Sequence, residues 1–485
     1  MADIRARQPG SVGAQFRRMS DEQCQQIHWA SLEVMERTGV RMYDDEAISL
    51  VVAAGAQVSD GNLVRIPAGL VEKAFTTVPK RIVLRNRNGE RVMPLEDYRS
   101  FFGPGSDCLN ILDHRTGERR KPVLQDVVEG MTVADALPNV DFVMSMVLPV
   151  DVPQTVSDRY QMEVMLNHTT KPIVFVTNEF SGCVDAVEMA EAVAGGSDAL
   201  RLNPFVACYI NVTTGLRHNQ EALQKLLYLS GKGLPALYIP VGMAGATAPV
   251  TIAGCQVIWN VGALVGLVVS QLKRQGAPYV IAGWGSNIVD MKTMIQPYAD
   301  PDKQGVAQAM GHYHDLPLFS LGGCSDSKCL DQQAGIEAAL TLMTTAMSGS
   351  HIVHDLGYLE SGLCYSLAQL TICDEILGWI EHSLREVDVS DVALAVDLIH
   401  EIGPDGQYLA SEHTLKHFRD RWYPGLFDRH NYGNWLAQGA KTLEQRAAER
   451  VTKILAEHTP EPLPEQVAQA VRAIVERAEA EYGKE

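Results

Sequence analysis

Between Ser100 and Gly362 the chain holds eight short, β-rich apolar runs with helical stretches between them, and no other feature narrows the fold as far. In order they are FFGPGSD, VDFVMSMVLP, KPIVFVTNE, PFVACYINVTT, PALYIPVGMAG, APYVIAGWGSN, LPLFSLGGCSDSK and SHIVHDLGYLESG. Continuous apolar runs alternating with helices indicate parallel strands buried on both faces, and eight is the number that closes a (β/α)8 TIM barrel. An open doubly wound sheet is the alternative. Helical periodicity or composition predicts the connecting helices over 123–137, 155–168, 183–195, 217–231, 248–274, 301–313 and 331–348, with LCYSLAQLTICDEILGWIEHSL closing the set.

The flanks read differently. SDEQCQQIHWASLEVMERTGV opens on a Ser cap, carries apolar residues at helical spacing and ends in Gly, which is one helix. A short helix near Asp45 to Ala54, the hairpin-like VSDGNLVRIP, a helix from Ala68 and the strand KRIVLRNRN follow. The expected organisation is a mobile N-terminal arm over 1–19, an α/β layer over 20–99, the barrel over 100–388 and a helical C-terminal extension over 389–485. The extension would dock on the barrel or on a neighbouring subunit, and a homo-oligomer is expected.

The chain is 485 residues long and 46% hydrophobic, enough for a large core. Its formal charge of −18 repels polyanions, so nucleic acid and anionic membrane surfaces are poor partners. Nine cysteines, most inside apolar runs as at Cys208, Cys255 and Cys373, suit a reducing cytoplasm rather than a disulfide framework. The nonpolar stretch from Gly254 to Leu272 is broken by Gln256, Asn260, Ser270 and Gln271, which suits a buried helix better than a membrane span. No P-loop, dinucleotide fingerprint, HExxH motif or long repeat is present. Cys324 and Cys329 in CSDSKC invite a metal reading, yet zinc sites use shorter spacings and further ligands; no metal and no tightly bound cofactor are expected.

Barrel enzymes carry their chemistry at the carboxyl ends of the strands, and that rule nominates residues here. They are Gly103, Gly105, Ser106 and Asp107; Asn178 and Glu179; Asn211 and Thr213; Gly242 and Met243; Gly283, Trp284 and Asn287; Ser325, Asp326 and Lys328; and His354, Asp355, Tyr358 and Glu360. Glu179, Asp326, Asp355 and Glu360 beside Trp284 and Tyr358 suit either acid/base catalysis or a permanent cation, which only ring faces and negative charge can hold. Each acid taken alone is equally explained as a helix cap or a solvated loop charge. His354, at a strand end, is expected to donate to a substrate carboxylate or act as a base. His351 lies near the strand's start and is expected to be structural. Trp284, between two glycines, reads as a pocket wall.

Through GGCSDSKCLDQQAG, HIVHDLGYLESG and IHWASLEVMERTGV the chain resembles the trimethylamine methyltransferase superfamily in its branch lacking pyrrolysine, over nearly its whole length. Cys329 stands where the trimethylamine branch carries pyrrolysine. The resemblance implies a barrel that passes a methyl group from an amine to the Co(I) centre of a separate corrinoid protein. For this branch the donors are quaternary amines such as glycine betaine, proline betaine and carnitine. On that reading His354 and Asp326 act in catalysis, and Glu179, Asn178, Trp284, Tyr358, Glu360, Gly242 and Cys329 surround the substrate. The cobalamin arrives on the partner. Two other functions stay open: a barrel lyase or hydrolase using Glu179, Asp326 or His354 as acid/base groups, and a non-catalytic betaine-binding or docking module.

Overall fold

A computed structural model of the chain describes residues 15–283 and 287–483. Seven of the eight runs form one parallel sheet: β1 (Phe101–Pro104), β2 (Ile173–Phe175), β3 (Val206–Val212), β4 (Ala236–Pro240), β5 (Tyr279–Ala282), β6 (Leu318–Leu321) and β7 (Ile352–Leu356). Their order is β2-β3-β4-β5-β6-β7-β1, with every pairing parallel. The remaining run lies between the two open edges and closes the barrel without becoming a regular strand. On one side the Val143 N–H donates to Pro172 O at 2.9 Å and Val143 O accepts from the Val174 N–H at 2.9 Å. On the other, the Asp141 and Met146 N–H groups donate to Phe102 O (2.7 Å) and Gly105 O (2.9 Å). Two features interrupt the ladder. The Asp141 carboxylate takes the Phe102 N–H at 2.8 Å, and Met146 sits at φ 66. Gly103 permits the close approach, because a Cβ there would lie 2.5 Å from Phe142 O.

The barrel helices are α1 (Leu124–Ala136), α2 (Ser157–His168), α3 (Phe180–Ala194), α4 (Gln220–Lys232), α5 (Ile252–Lys273), α6 (Ala307–His314), α7 (Gln332–Met347) and α8 (Leu367–Leu384). By length and composition α5 could cross a membrane, but it is a core helix, covered by β4 and β5 on one side and by the N-terminal helices on the other. Two of its buried amides are fixed by hydrogen bonds. Asn260 donates to Ser31 Oγ and meets His314 Nε2, both at 2.9 Å, and Gln271 donates to Ala277 O at 2.9 Å.

The N-terminal layer contains the helix Asp21–Glu33, opened by a reciprocal Ser20–Gln23 capping box. After it come the helix Asp45–Ala53, the hairpin Gln57–Ser59/Leu63–Arg65, the helix Ala68–Thr77 and the hairpin Ile82–Arg85/Arg91–Leu95. Val40–Met42 joins this layer to the barrel by pairing with Arg217–His218. Of the arm expected over 1–19, residues 1–14 lie outside the described residues. Phe16 and Arg18 are tied down, their N–H groups donating to Met347 O (3.1 Å) and Gly305 O (3.2 Å).

In the C-terminal extension, α9 (Leu443–Glu457) packs on α8 and α1, and α10 (Glu465–Tyr482) on α2 and α3. A charge network beneath α10 locks those helices. Buried Arg159 on α2 meets Asp158 and Asp185 at 3.0 Å each, while Arg477 on α10 reaches Asp185 at 2.9 Å. Removing the buried cation would leave Asp158 without an ion partner and Asp185 with Arg477 alone, a loss of about 3–5 kcal/mol.

Candidate active site

A cavity of about 310 Å³ opens at the carboxyl ends of the barrel strands. Tyr209, Asp355 and Tyr358 supply most of its chemistry, with Tyr298 from the segment after β5, Asp107 after β1 and His354 on β7. Ser106, Val176, Asn211, Val241, Gln296 and Leu321 complete the wall. Among the described residues no lysine, arginine or cysteine lines it.

Asp355 is the most constrained of these groups. It is a non-glycine residue at φ 81, in the left-handed region that costs most side chains energy and that Asp and Asn tolerate best. Gly105 makes room for it: a Cβ there would overlap both the Asp355 carboxylate and the Tyr358 ring. One carboxyl oxygen, Oδ1, lies 3.5 Å from His354 Nε2. The other, Oδ2, is buried with no hydrogen-bond partner among the described residues. Burial pushes this carboxyl up to about 8, against the partial counteraction of nearby Lys303. The Asp107 carboxyl is raised as well, by burial, although Ser145 and Gln161 donate to it at 3.2 and 3.4 Å.

His354 Nδ1 sits 2.9 Å from Ser320 O. A carbonyl can only accept, so Nδ1 carries the hydrogen, and burial depresses the ring to about 3, which keeps it neutral. Nε2 is then a lone pair facing Asp355. A neutral ring in this tautomer has no N–H to offer a substrate carboxylate, which corrects the expected anchoring role. Its Nε2 instead faces the Asp355 carboxyl at 3.5 Å. His351 is a structural residue at the strand's start, accepting the Leu318 N–H at 3.0 Å.

The tyrosines form a partial cage. Tyr298 and Tyr358 meet edge to face at 6.1 Å, and the Tyr358 hydroxyl donates to Ser106 O. Tyr209 lies nearly parallel to His354 at 6.2 Å. Lys303, fully buried, lays its ammonium 4.6 Å from the Tyr298 ring centroid, and Nζ has no hydrogen-bond partner among the described residues. Tyr298 is fixed by Asp326, whose carboxylate accepts the N–H groups of Tyr298 (2.7 Å) and Ala299 (3.3 Å) and the Ser361 hydroxyl (2.8 Å). Asp326 is therefore a positioning residue outside the cavity, not a catalytic group.

The other nominated residues divide by geometry. Of the expected substrate-binding set Tyr358 lines the cavity, and Ser106, Asp107, Asn211 and Asp355 join it from the wider set of strand-end residues. Glu179 and Asn178 are exposed at the start of α3, where the Asn178 N–H donates to Asp158 at 3.0 Å. Glu360 pairs with Arg119 at 2.8 and 3.2 Å. Gly242 gives Trp259 its space, since a Cβ would lie 2.8 Å from Trp259 Nε1. Cys329 is exposed, outside the cavity wall. Trp284 lies outside the described residues. No group of three or more His, Cys, Asp or Glu able to hold a metal ion occurs among the described residues.

Comparison with known proteins is consistent across the chain. The model of the trimethylamine methyltransferase family matches residues 3–483. A trimethylamine methyltransferase of Desulfitobacterium hafniense is 36% identical over 469 residues, covering 96% of this chain and 94% of the relative. A glycine betaine methyltransferase from another strain of that organism is 27% identical over 482 residues, covering 98% and 100%. Among solved structures, the monomethylamine methyltransferase of Methanosarcina barkeri superposes with a TM-score of 0.50 at 12% identity, covering 96% of this chain and 88% of that one. This last likeness concerns the fold.

Proposed function

The chain belongs to the trimethylamine methyltransferase family, and from that premise we propose that it moves a methyl group from a quaternary amine to the Co(I) centre of a cognate corrinoid protein. The donor is of the glycine betaine kind, with proline betaine or a carnitine-like compound as alternatives, and a tertiary amine leaves. The observation that carries this reading is the cavity wall: three tyrosines and two carboxyls, Asp107 and the buried Asp355, both raised above the ordinary carboxylate value, around a space at the small end of ligand pockets. A quaternary nitrogen departs as a neutral amine without needing a proton, so no catalytic acid and no covalent adduct is required.

Asp355 suits both halves of such a reaction. A cation in the cavity draws the proton off the carboxyl and is held by the resulting carboxylate and by the tyrosine faces. As positive charge leaves nitrogen, a carboxylate without a partner in this dry site takes its proton back, so the product state is not burdened with a bare charge. Binding that relaxes as the charge disappears limits overstabilisation of the ground state. Asn211 and Gln296 supply amide donors for a carboxylate or hydroxyl tail. The chain holds no cofactor of its own in this account. The cobalt nucleophile arrives with the partner, for which Val250, Met291, Met294 and Ile295, exposed on the loops after β4 and β5, offer an apolar rim.

The test is a panel of quaternary and tertiary methylamines assayed by methylation of a Co(I) corrinoid, free or protein-bound. The expected result is turnover of quaternary donors above tertiary ones. A preference for tertiary amines refutes the proposal. Substrate breakdown without corrinoid assigns the chain to a lyase or hydrolase, and saturable binding with no transfer leaves a binding module.

A further inference from the structure

Two lysines are buried among the described residues, and they are held differently. Lys225 donates to Thr177 O at 2.6 Å. Lys303 has no exposed surface, its Nζ has no hydrogen-bond partner among the described residues, and it lies over the Tyr298 ring, 4.6 Å from the centroid. An ammonium is costly to keep out of water without a partner, so its place behind a cavity wall calls for a role. We infer that Lys303 sets the charge class of the donor, favouring amines that carry their own carboxylate over plain cations; this rests on the quaternary-amine reading of the cavity.

Tyr298 lines the cavity and Lys303 does not, so the ammonium stands on the side of the ring turned away from the cavity. The backbone around it is pinned, which keeps the side chain from swinging out to water. Arg18 donates to Pro301 O at 3.0 Å and meets Asp302 at 3.3 Å. Asp300 caps the turn through the Asp302 N–H at 2.8 Å, and Gln304 accepts the Thr345 hydroxyl of α7 at 3.0 Å. Burial weakens the hold of Lys303 on its proton, while the Asp326 and Asp300 carboxylates and the ring face favour the charged form.

A donor nitrogen within about 6 Å of the other face of the ring stands about 10 Å from Nζ. At an effective dielectric near 20, the repulsion between two unit positive charges at that distance is worth roughly tenfold in affinity. A plain cation bears that repulsion in full. A betaine offsets it with its own carboxylate, to which Gln296 offers an amide from the same segment that carries Lys303. Trimethylammonium, charged but without a carboxylate, falls on the disfavoured side with tetramethylammonium.

The experiment is calorimetric titration of the full chain with glycine betaine and with tetramethylammonium, for wild type, Lys303→Met and Lys303→Gln. The quantity read is the ratio of the two dissociation constants. Both ligands place an ammonium beside Asp355, so the ratio cancels the ionisation of that carboxyl and leaves the share of the tail. Both substitutions remove a buried charge without enlarging the side chain, which favours retention of the fold. Tetramethylammonium should gain about tenfold on glycine betaine in each variant. In the wild type the ratio should change by less than about twofold between about 0.05 and 0.5 M salt, because a buried charge is little screened. A ratio within about twofold of wild type in the folded variants overturns the inference. So does a parallel loss of both ligands, which would make Lys303 a prop for the Tyr298 ring. A wild-type ratio that collapses in salt overturns it by placing the discrimination on exposed charges. A wild type that binds neither ligand refutes the quaternary-amine reading itself and takes the inference with it.

Discussion

Replacing Asp355 by Asn isolates the group on which the account of cation binding rests. The isostere removes the charge, and Asn accepts the φ of 81 that the backbone requires. In the wild type the carboxyl titrates at about 8 when the cavity is empty. A unit positive charge about 4 Å away, at an effective dielectric near 20, favours the ionised form by about 4 kcal/mol, or about three pH units, so the bound-state value falls to about 5. Between about pH 5 and pH 8 each binding event therefore releases a proton, and affinity rises about tenfold per pH unit before levelling off above 8. Calorimetric titration with tetramethylammonium, whose charge does not titrate, reads both quantities, and buffers of different ionisation enthalpy count the protons. Near pH 7 close to one proton should leave per ligand bound. Asp355→Asn should release none and should bind with little pH dependence. Stability follows the same linkage. The folded value lies above the ordinary 3.8, so the folded state keeps its proton longer, and this group's contribution to stability falls as pH rises from about 4 to about 8. Asp355→Asn should consequently gain on the wild type across that window. Wild-type binding that is flat from pH 6 to 9, or a slope that survives in Asp355→Asn and vanishes in Asp107→Asn, would refute the assignment.

Other variants separate the remaining roles. Tyr298→Ala removes a ring face and should weaken tetramethylammonium binding by about 0.5–2 kcal/mol, read by the same titration. Asn211→Leu should weaken a carboxylated betaine while leaving tetramethylammonium unchanged, whereas His354→Ala should shift the pH profile of both ligands together; the reverse pattern would return the anchoring role to His354. Cys329→Ala should retain methyl transfer within about tenfold, a barrier change of about 1.4 kcal/mol. Complete loss in a folded variant would mean that the exposed thiol carries chemistry.

The barrel was legible because parallel strands buried on both faces must be continuously apolar, and the runs at 173–175, 236–240 and 279–282 are. What periodicity could not reveal is that the second run closes the barrel through isolated bonds. The Asp141 carboxylate stands in for a backbone acceptor, and Met146 turns the chain where glycine would be expected. At the site, the rule that strand ends carry function located Asp107, Asn211, His354, Asp355 and Tyr358. It failed for Glu179, Asp326 and Glu360 because loop acids also start helices, hold backbone amides and pair with arginines. Tyr209 did leave a signal: it lies two residues before Asn211 and so on the same face of β3. Tyr298, Gln296 and Lys303 left none. They come from the aperiodic segment after β5, and only the tertiary fold brings that segment over the barrel mouth.

The most direct measurement is a crystal structure of the enzyme with a quaternary amine bound. The account predicts the nitrogen inside the cavity, within about 6 Å of the ring centroids of Tyr209, Tyr298 and Tyr358 and beside the Asp355 carboxylate, with one methyl group turned toward the open mouth. An ammonium held instead at Glu179 or Glu360, or a methyl group turned inward toward β7 and away from solvent, would contradict it.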